Sequence, residues 1–179
     1  AKLARHAFIG MTLIKSLNTG GVISSLRLSD YSSSIKTVLS EMLEDVQKLK
    51  NNTIKKIDFN KKYGHLRPGT YDISSRSYRD IDPIELFGDR TINLNDKIFN
   101  FNSKEISRIN ELIHFFKLPF SDGHELLNYT SLSIQGRERS KFEFTRVIDL
   151  IFESVKNISK NYSITIDDLS YLSIERLAL

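Results

Sequence analysis

The sequence predicts a mainly α-helical protein, a helical bundle with one large ordered loop over residues 63–101 and at most a small hairpin. Two observations predict this class. Apolar residues recur at three- and four-residue steps through most of the chain, which is the spacing of one helix face. Residues 63–101 lack that spacing and hold two of the three prolines, which interrupt a helical pattern.

Composition predicts one core and limits the partners. With 179 residues, 40% of them hydrophobic, we expect residues 1–179 to form a single helical domain. No uninterrupted apolar run approaches the roughly 20 residues of a membrane span, which argues against a membrane partner. The net charge of +4 is spread among acids rather than gathered in a stripe, which argues against nucleic acid. The absence of Cys excludes thiolate chemistry and favours a cytoplasmic protein.

The two ends of the sequence predict a fragment. The chain begins inside a helical pattern without Met or a signal peptide, and it closes on the apolar, periodic residues 174–179. We therefore expect a fragment of a longer polypeptide, whose function needs parts outside these residues.

Two amphipathic helices are predicted in the first 50 residues. Residues 3–17 show apolar positions at helical spacing, and the glycine pair at 20–21 stops this helix. A serine-rich passage then leads to a second helix of about 20 residues. Its apolar positions recur at three- and four-residue steps: Tyr31, Ile35, Val38, Met42, Val46 and Leu49. The asparagine pair at 51–52 ends it, and a short segment over residues 54–59 leads into the loop.

Further helix signals lie beyond residue 80. Pro83 fits the first turn of a short helix, and residues 91–101 alternate weakly, which allows a small hairpin. Asn102 and Glu105 have the spacing of a capping box, in which each side chain bonds the other residue's backbone N–H. They open a helix that Pro119 ends.

The longest predicted helix covers residues 122–161, interrupted at most by Gly136. Its apolar positions form a seam that we expect to be buried: Phe144, Ile148, Ile151, Val155 and Ile158. Thr165 caps a final helix, with acids at 167–168 in the first turn, where they suit the helix dipole.

Residues 63–73 hold the densest group of chemically active side chains. Their sequence, Tyr-Gly-His-Leu-Arg-Pro-Gly-Thr-Tyr-Asp-Ile, favours a shaped loop, because glycine permits positive φ and close backbone approach while proline fixes φ. His65 is the best candidate acid, base or ligand, since it alone of the four histidines lies in such a loop. No histidine pair or carboxylate cluster has metal-ligand spacing, so no metal site is expected. The alternative is a rigid connector whose His and Arg cap neighbouring helices.

Two cations on the long helix form a second candidate. Arg137 and Lys141 lie one turn apart and continue the apolar seam, where unpaired cations are rare. If a helix starts near Gly136, both lie at its positive end, and an anionic partner would offset that arrangement. The pair therefore predicts a phosphate or carboxylate subsite. The alternative is an internal salt bridge to Asp72, Glu41 or another acid.

Residues 59–73 resemble a segment in the middle region of phosphoenolpyruvate-synthase-like phosphotransferases, a group that includes pyruvate phosphate dikinase relatives and rifampin phosphotransferase. The likeness rests on eleven consecutive residues, 63–73, with the Gly-His-Leu-Arg-Pro-Gly-Thr-Tyr-Asp run of one bacterial branch. Three further segments are similar to that branch: residues 34–38, 137–146 and 167–172. Relatives often carry Ser-Pro-Arg-Tyr after the Asp-Ile pair, whereas residues 75–78 here are Ser-Arg-Ser-Tyr.

The resemblance implies that this chain is the middle part of an ATP-dependent transferase. An ATP-grasp domain would precede it and a swivelling domain with a phosphohistidine would follow it in the same polypeptide. ATP and Mg are implied for the parent enzyme, and no cofactor for this part. The chain itself would be an acceptor-binding or linking domain, inactive alone, with a small molecule as acceptor. The alternative is a non-catalytic helical spacer or docking domain between the two catalytic domains.

Six residues would carry the acceptor-binding function. His65 would be the catalytic residue that orients or deprotonates the acceptor hydroxyl. The substrate-binding residues, whose cations would offset the phosphoryl or acceptor charge, are Arg67, Tyr71, Asp72, Arg137 and Lys141. Convergence on an open pocket favours acceptor binding, and internal pairing favours a spacer whose loop docks the swivelling domain. A third option, a helical module that binds nucleic acid or another protein, needs a contiguous basic or apolar surface.

Overall fold

The computed structural model describes residues 2–87 and 99–171, and it is helical there. These residues contain eight α-helices and one 3-10 turn at Tyr78–Asp80, and no strand. The helices are α1 (Lys2–Thr19), α2 (Ser25–Ser34), α3 (Val38–Lys50), α4 (Lys56–Tyr63), α5 (Pro83–Phe87), α6 (Ser103–Phe115), α7 (Gly123–Asn161) and α8 (Ile166–Ser170). The predicted mainly α, helical-bundle class is confirmed. Within these two ranges, no helix is both long enough and apolar enough to cross a membrane.

The chain divides into two compact units, and the divisions fall inside α3 and α7. The first unit groups residues 1–41 with 93–140, and the second groups residues 42–92 with 141–179. The prediction that residues 1–179 fold as one domain stays a prediction, which calorimetry tests directly.

The first unit has an apolar core built from α1, α2, α6 and the first part of α7. Its buried members are Ile14, Leu17, Ile23, Tyr31, Ile35, Ile109, Ile113, Leu126 and Leu127. The Tyr31 hydroxyl donates to the Leu127 carbonyl oxygen at 2.9 Å, so this buried polar group is satisfied. A side chain on Gly10 would place its Cβ 3.2 Å from the Thr130 Cα, so glycine allows the close approach of α1 to α7.

The predicted second helix of about 20 residues is wrong, because the chain forms two helices there. Ile35 has extended backbone (φ −73°, ψ 112°) after the end of α2. Thr37 and Ser40 then exchange hydrogen bonds at the start of α3: the Thr37 N–H donates to Ser40 Oγ at 2.8 Å and the Ser40 N–H to Thr37 Oγ1 at 3.3 Å. These side-chain bonds satisfy N–H groups that a new helix leaves unpaired, so the helix restarts.

The remaining helix predictions hold, with two corrections in α7. Both bonds of the Asn102 and Glu105 capping box are present. Helix α7 passes through Gly136 without a break, so no helix starts there. The predicted seam is not buried: Phe144 and Ile151 are about half exposed, because Phe142, Thr145 and Asp149 occupy the buried side.

The described part of the large loop contains the short helix predicted at Pro83 and one 3-10 turn, and the segment before the loop is also helical. Helix α4 replaces the short segment before it, and helix α5 starts at Pro83, as the proline predicted. Residues 88–98 lie outside the described residues, and so does most of the segment for which a hairpin was predicted. The neighbouring residues 99–101 form no strand.

Candidate functional site

The loop leaves α4 through a tight backbone turn at Gly64. The Gly64 N–H donates to the Asn60 carbonyl oxygen at 2.8 Å. A Cβ on Gly64 would lie 2.4 Å from that same oxygen, a contact that no side chain can make. The φ of Gly64 is −58°, so the position requires glycine for close approach and not for a left-handed backbone.

Backbone hydrogen bonds join the beginning of the loop to its end. The Tyr78 N–H donates to the Leu66 carbonyl oxygen at 2.7 Å, and the Arg79 N–H donates to the Gly64 carbonyl oxygen at 3.2 Å. Inside the loop, the Gly69 N–H donates to Ser75 Oγ at 3.1 Å. The two ends of residues 64–79 are therefore held together, and the segment has a defined shape without any ligand.

His65 is buried and neutral in this arrangement. Its Nε2 lies 3.2 Å from the Phe142 carbonyl oxygen, which only accepts, so Nε2 carries the proton and donates. The ring packs edge-on against Phe142, with the ring centroids 4.7 Å apart. Nδ1 is buried without a hydrogen-bond partner among the described residues. Burial, and then the nearby Arg146 guanidinium, lower the pKa of His65, because a charged ring would be poorly solvated there.

The centre of the site is an ion cluster in which the buried carboxylate of Asp149 pairs with the buried Arg67 and with Arg79, which is 39% exposed. Asp149 on α7 accepts hydrogen bonds from the guanidiniums of Arg67 and Arg79, one on each carboxylate oxygen. The side chains of Arg67 and Asp149 are 2% and 4% exposed, so both charges are out of water. The Arg67 guanidinium also lies over the Phe152 ring, 4.9 Å from its centroid. This cluster holds both ends of the loop against α7, one through Arg67 and the other through Arg79.

Arg146 ties the end of α4 to α7. Its Nη2 donates to the Lys62 carbonyl oxygen at 2.9 Å, which satisfies one of the carbonyls that a helix end leaves open. Its guanidinium lies 4.9 Å from the centroid of the Phe142 ring. The charged groups that affect the pKa of His65 most are those of Arg146, Asp149 and Glu143, all on α7.

A second ion cluster holds α3 against α4. Asp45 accepts from the Tyr63 hydroxyl at 2.9 Å and from Lys62 Nζ at 2.8 Å on one oxygen, and from Lys48 Nζ at 2.9 Å on the other. Burial opposes ionisation, but the bonds from Lys62, Lys48 and Tyr63 together lower the pKa of Asp45. Tyr63 is completely buried, so its hydroxyl is bound internally and is not open to a substrate.

Tyr71 and Asp72 lie on the outer side of the loop. Tyr71 is 72% exposed. Asp72 Oδ1 accepts from the Ser74 hydroxyl at 2.7 Å and from the Ser74 N–H at 2.9 Å, the geometry of an Asx turn. These bonds to Ser74 lower the pKa of Asp72, and its side chain shapes the loop tip.

The structure does not place Arg137 and Lys141 in a buried seam. Arg137 belongs to the first unit, pairs with its neighbour Glu138 at 2.7 Å, and lies 5.9 Å from the centroid of the Phe8 ring. Lys141 is exposed, in the second unit. The prediction that Arg137 and Lys141 are buried is therefore wrong, because the face of α7 that carries them is open to solvent. Of the six predicted site residues, His65 and Arg67 are buried, and each has its partner on α7.

Sequence reasoning missed Asp149, Arg79 and Arg146, which complete the site. A signal for Asp149 was present, because it is the one acid in the apolar run of residues 147–152 and lies seven residues after Phe142 on the same helix face. No comparable signal marks Arg79 among the polar residues that surround it.

In the part of the chain that the structure describes, no three His, Asp or Glu side chains are grouped so that they could hold a metal ion. Comparisons with protein-family models, with curated proteins and with solved structures find no match to this chain. The loop at residues 64–80, whose Arg67 and Arg79 pair with Asp149, is therefore the feature of the molecule that points to a function.

Proposed function

We propose that this chain is the helical linking and docking domain of a phosphoenolpyruvate-synthase-like phosphotransferase. In this proposal, residues 64–80 form a rigid surface on which the swivelling phosphohistidine domain docks. The ATP-grasp domain and the swivelling domain belong to the same cytoplasmic polypeptide. ATP and Mg act outside this chain, which is inactive alone.

The ion cluster of Arg67, Asp149 and Arg79 is the observation that supports a docking role. Arg67 is directed inward onto the internal carboxylate of Asp149, which also pairs with the part-exposed Arg79, so the Arg67 guanidinium is not offered to a substrate. A loop that is already held in one conformation loses little conformational freedom when a partner binds, so more of the contact energy contributes to affinity.

The outer side of the loop has the composition of a small protein-binding surface. Tyr71 is exposed in this loop, and so are the acid Asp72 and the cation Arg76 of the same loop. An aromatic side chain with charged neighbours of both signs is a common centre of a transient interface. Such an interface suits a domain that docks and leaves within one catalytic cycle.

Acceptor binding by this chain receives less support from the same geometry. His65 and Arg67 are buried with internal partners, whereas an acid or base must reach the proton that it moves. The acceptor-binding role of His65, Arg67, Tyr71, Asp72, Arg137 and Lys141 stays a prediction.

The test uses the polypeptide that the gene of this chain encodes. We expect incubation with ATP and Mg to give an acid-labile, base-stable phosphohistidine. A photo-crosslinking amino acid at position 71 should then form crosslinks to the phosphohistidine domain. The matched control carries the same amino acid at position 26, since Leu26 is 79% exposed in the other unit.

The two readouts separate the two parts of the proposal. A polypeptide without an acid-labile phosphoenzyme contradicts membership of this group of phosphotransferases. A phosphoenzyme whose crosslinks from position 71 are no stronger than those from position 26 contradicts the docking role alone.

A further inference from the structure

The second half of α7 carries an apolar stripe that faces solvent. Five of its side chains are between 51% and 67% exposed, and we call them the α7 seam: Phe144, Val147, Leu150, Ile151 and Ile158. Within this one continuous helix, four of them lie on the side opposite the buried Phe142 and Asp149, and Leu150 lies between the two sides. Contiguous exposed apolar surface of this kind marks an interaction site.

The spacing of the seam is that of a coiled coil. Phe144, Ile151 and Ile158 are seven residues apart and occupy one heptad position, a. Val147 and Ser154 lie three residues after the first two and occupy position d, and Leu150 lies at g. Positions a and d are those that meet the facing helix in a coiled coil. The buried Phe142 and Asp149 both fall at f, the position farthest from that helix. The partner that fits the seam is therefore another amphipathic helix.

We propose that the occupant of the seam is α7 of a second copy of this chain, packed antiparallel. In antiparallel coiled coils each a residue meets a d residue of the other helix. One register places Val147 against the partner's Ile151, and Ile151 against the partner's Val147. The same register places Leu150 next to the partner's Leu150 at the two-fold axis. Every position at the centre of the contact is then apolar.

The pairs that flank the centre of the contact are complementary in size. The register that pairs Val147 with Ile151 also places Phe144, the largest side chain of the seam, against the partner's Ser154, the smallest residue at these positions. A large residue opposite a small one fills a helix contact without a void or a clash. Because the axis is two-fold, this pairing occurs twice.

The area of the seam suffices for a reversible dimer. Half-exposed or more exposed side chains of this size offer on the order of 100 Å² each. Five of them on each copy bring the contact to about 1,000 Å² in total, the least that a biological interface needs and the size of a weak one. We therefore expect a dimer that dissociates on dilution.

The first test measures the association state of the full chain by sedimentation equilibrium over a wide range of concentrations. We expect a monomer–dimer equilibrium whose dissociation constant rises at least about a hundredfold in Leu150→Glu, because two carboxylates would be buried at the axis. The control is Leu26→Glu, which adds the same charge at an exposed leucine of the first unit and should leave the equilibrium unchanged. Circular dichroism should show that both variants keep the helical fold.

The second test determines the orientation and does not depend on a disruptive substitution. The chain contains no Cys, so Val147→Cys and Ile151→Cys each introduce a single thiol. Mixed and oxidised, they should form the mixed disulfide in preference to either self-paired one, because only the mixed pair meets across an antiparallel contact. Mass spectrometry distinguishes the three products.

Three results would overturn the inference. The first is a monomer at every concentration, which would leave the seam to a partner of another kind. The second is a dimer that Leu150→Glu does not weaken. The third is a preference for the self-paired disulfides, which indicates parallel helices.

Discussion

Replacing Asp149 tests whether the loop is held by the buried ion pair of Arg67 and Asp149. Asp149→Asn keeps the size of the side chain but removes the charge that offsets the guanidiniums of Arg67 and Arg79. Because the Arg67 side chain is 2% exposed, it cannot recover its hydration without opening the loop. Removing one partner of such a buried pair costs about 3–5 kcal/mol of unfolding free energy. For a chain of this size, that lowers the melting temperature by at least about 6 °C.

The assay is urea and thermal unfolding followed by circular dichroism. The control is Glu111→Gln, which breaks the pair between Arg108 and Glu111 at 2.5 Å, where both side chains are about 60% exposed. Water screens that pair, so its loss should cost less than about 1 kcal/mol. If Asp149→Asn cost no more than Glu111→Gln, the cluster would not hold the loop, and the argument for a rigid docking surface would fail.

Three other predictions follow from the same geometry. Burial lowers the pKa of His65, so the contribution of this residue to the free energy of unfolding is complete above about pH 6.5. That contribution is lost as pH falls toward the lower folded pKa, by at most about 1.4 kcal/mol per pH unit. His65→Gln should reduce this pH dependence in urea unfolding, and an unchanged profile would assign it to other groups. Gly64→Ala should destabilise the chain by roughly 1–3 kcal/mol, because the new Cβ clashes with the Asn60 oxygen. A Cβ at position 136 would meet its nearest neighbour, a Leu3 methyl, only at 3.7 Å, so Gly136→Ala should stabilise α7 by about 0.5–1 kcal/mol. Equal effects of the two variants in thermal unfolding would contradict this expectation. If residues 1–179 fold as one domain, calorimetry should show a single transition whose calorimetric and van't Hoff enthalpies agree, and two resolved transitions would mean that the units unfold separately.

Most helix ends could be predicted from the sequence because the bonds that form them are local. The capping residue Asn102 bonds Glu105, and Thr165 bonds Asp168, each three residues along the chain. Asn52 follows α3 with a left-handed backbone (φ 55°), a conformation that Asn tolerates. The break between α2 and α3 was missed although the Thr37 and Ser40 bonds are equally local, because apolar spacing continues across it.

The burial of α7 could not be predicted, because its sequence carries two candidate inner faces. The seam through Phe144 and Ile151 is more apolar than the face through Phe142, Thr145 and Asp149, yet the second face is the buried one. Apolar spacing shows which side chains share a face but does not show which face another element will cover. Here α4 and the loop cover the face that carries Asp149, and Asp149 pairs with two arginines of the loop.

By itself, the sequence determined the helical class, the positions of most helix ends and the presence of a shaped loop at residues 63–73. Only the tertiary structure decided what that loop does with its charges. Arg67 meets Asp149, which is 82 residues farther along the chain, and both are buried there. Caps and turns depend on bonds between residues three or four apart, so a sequence displays them directly. The pairing of a loop arginine with an acid on a distant helix depends on how the two elements pack, and a sequence does not display that packing.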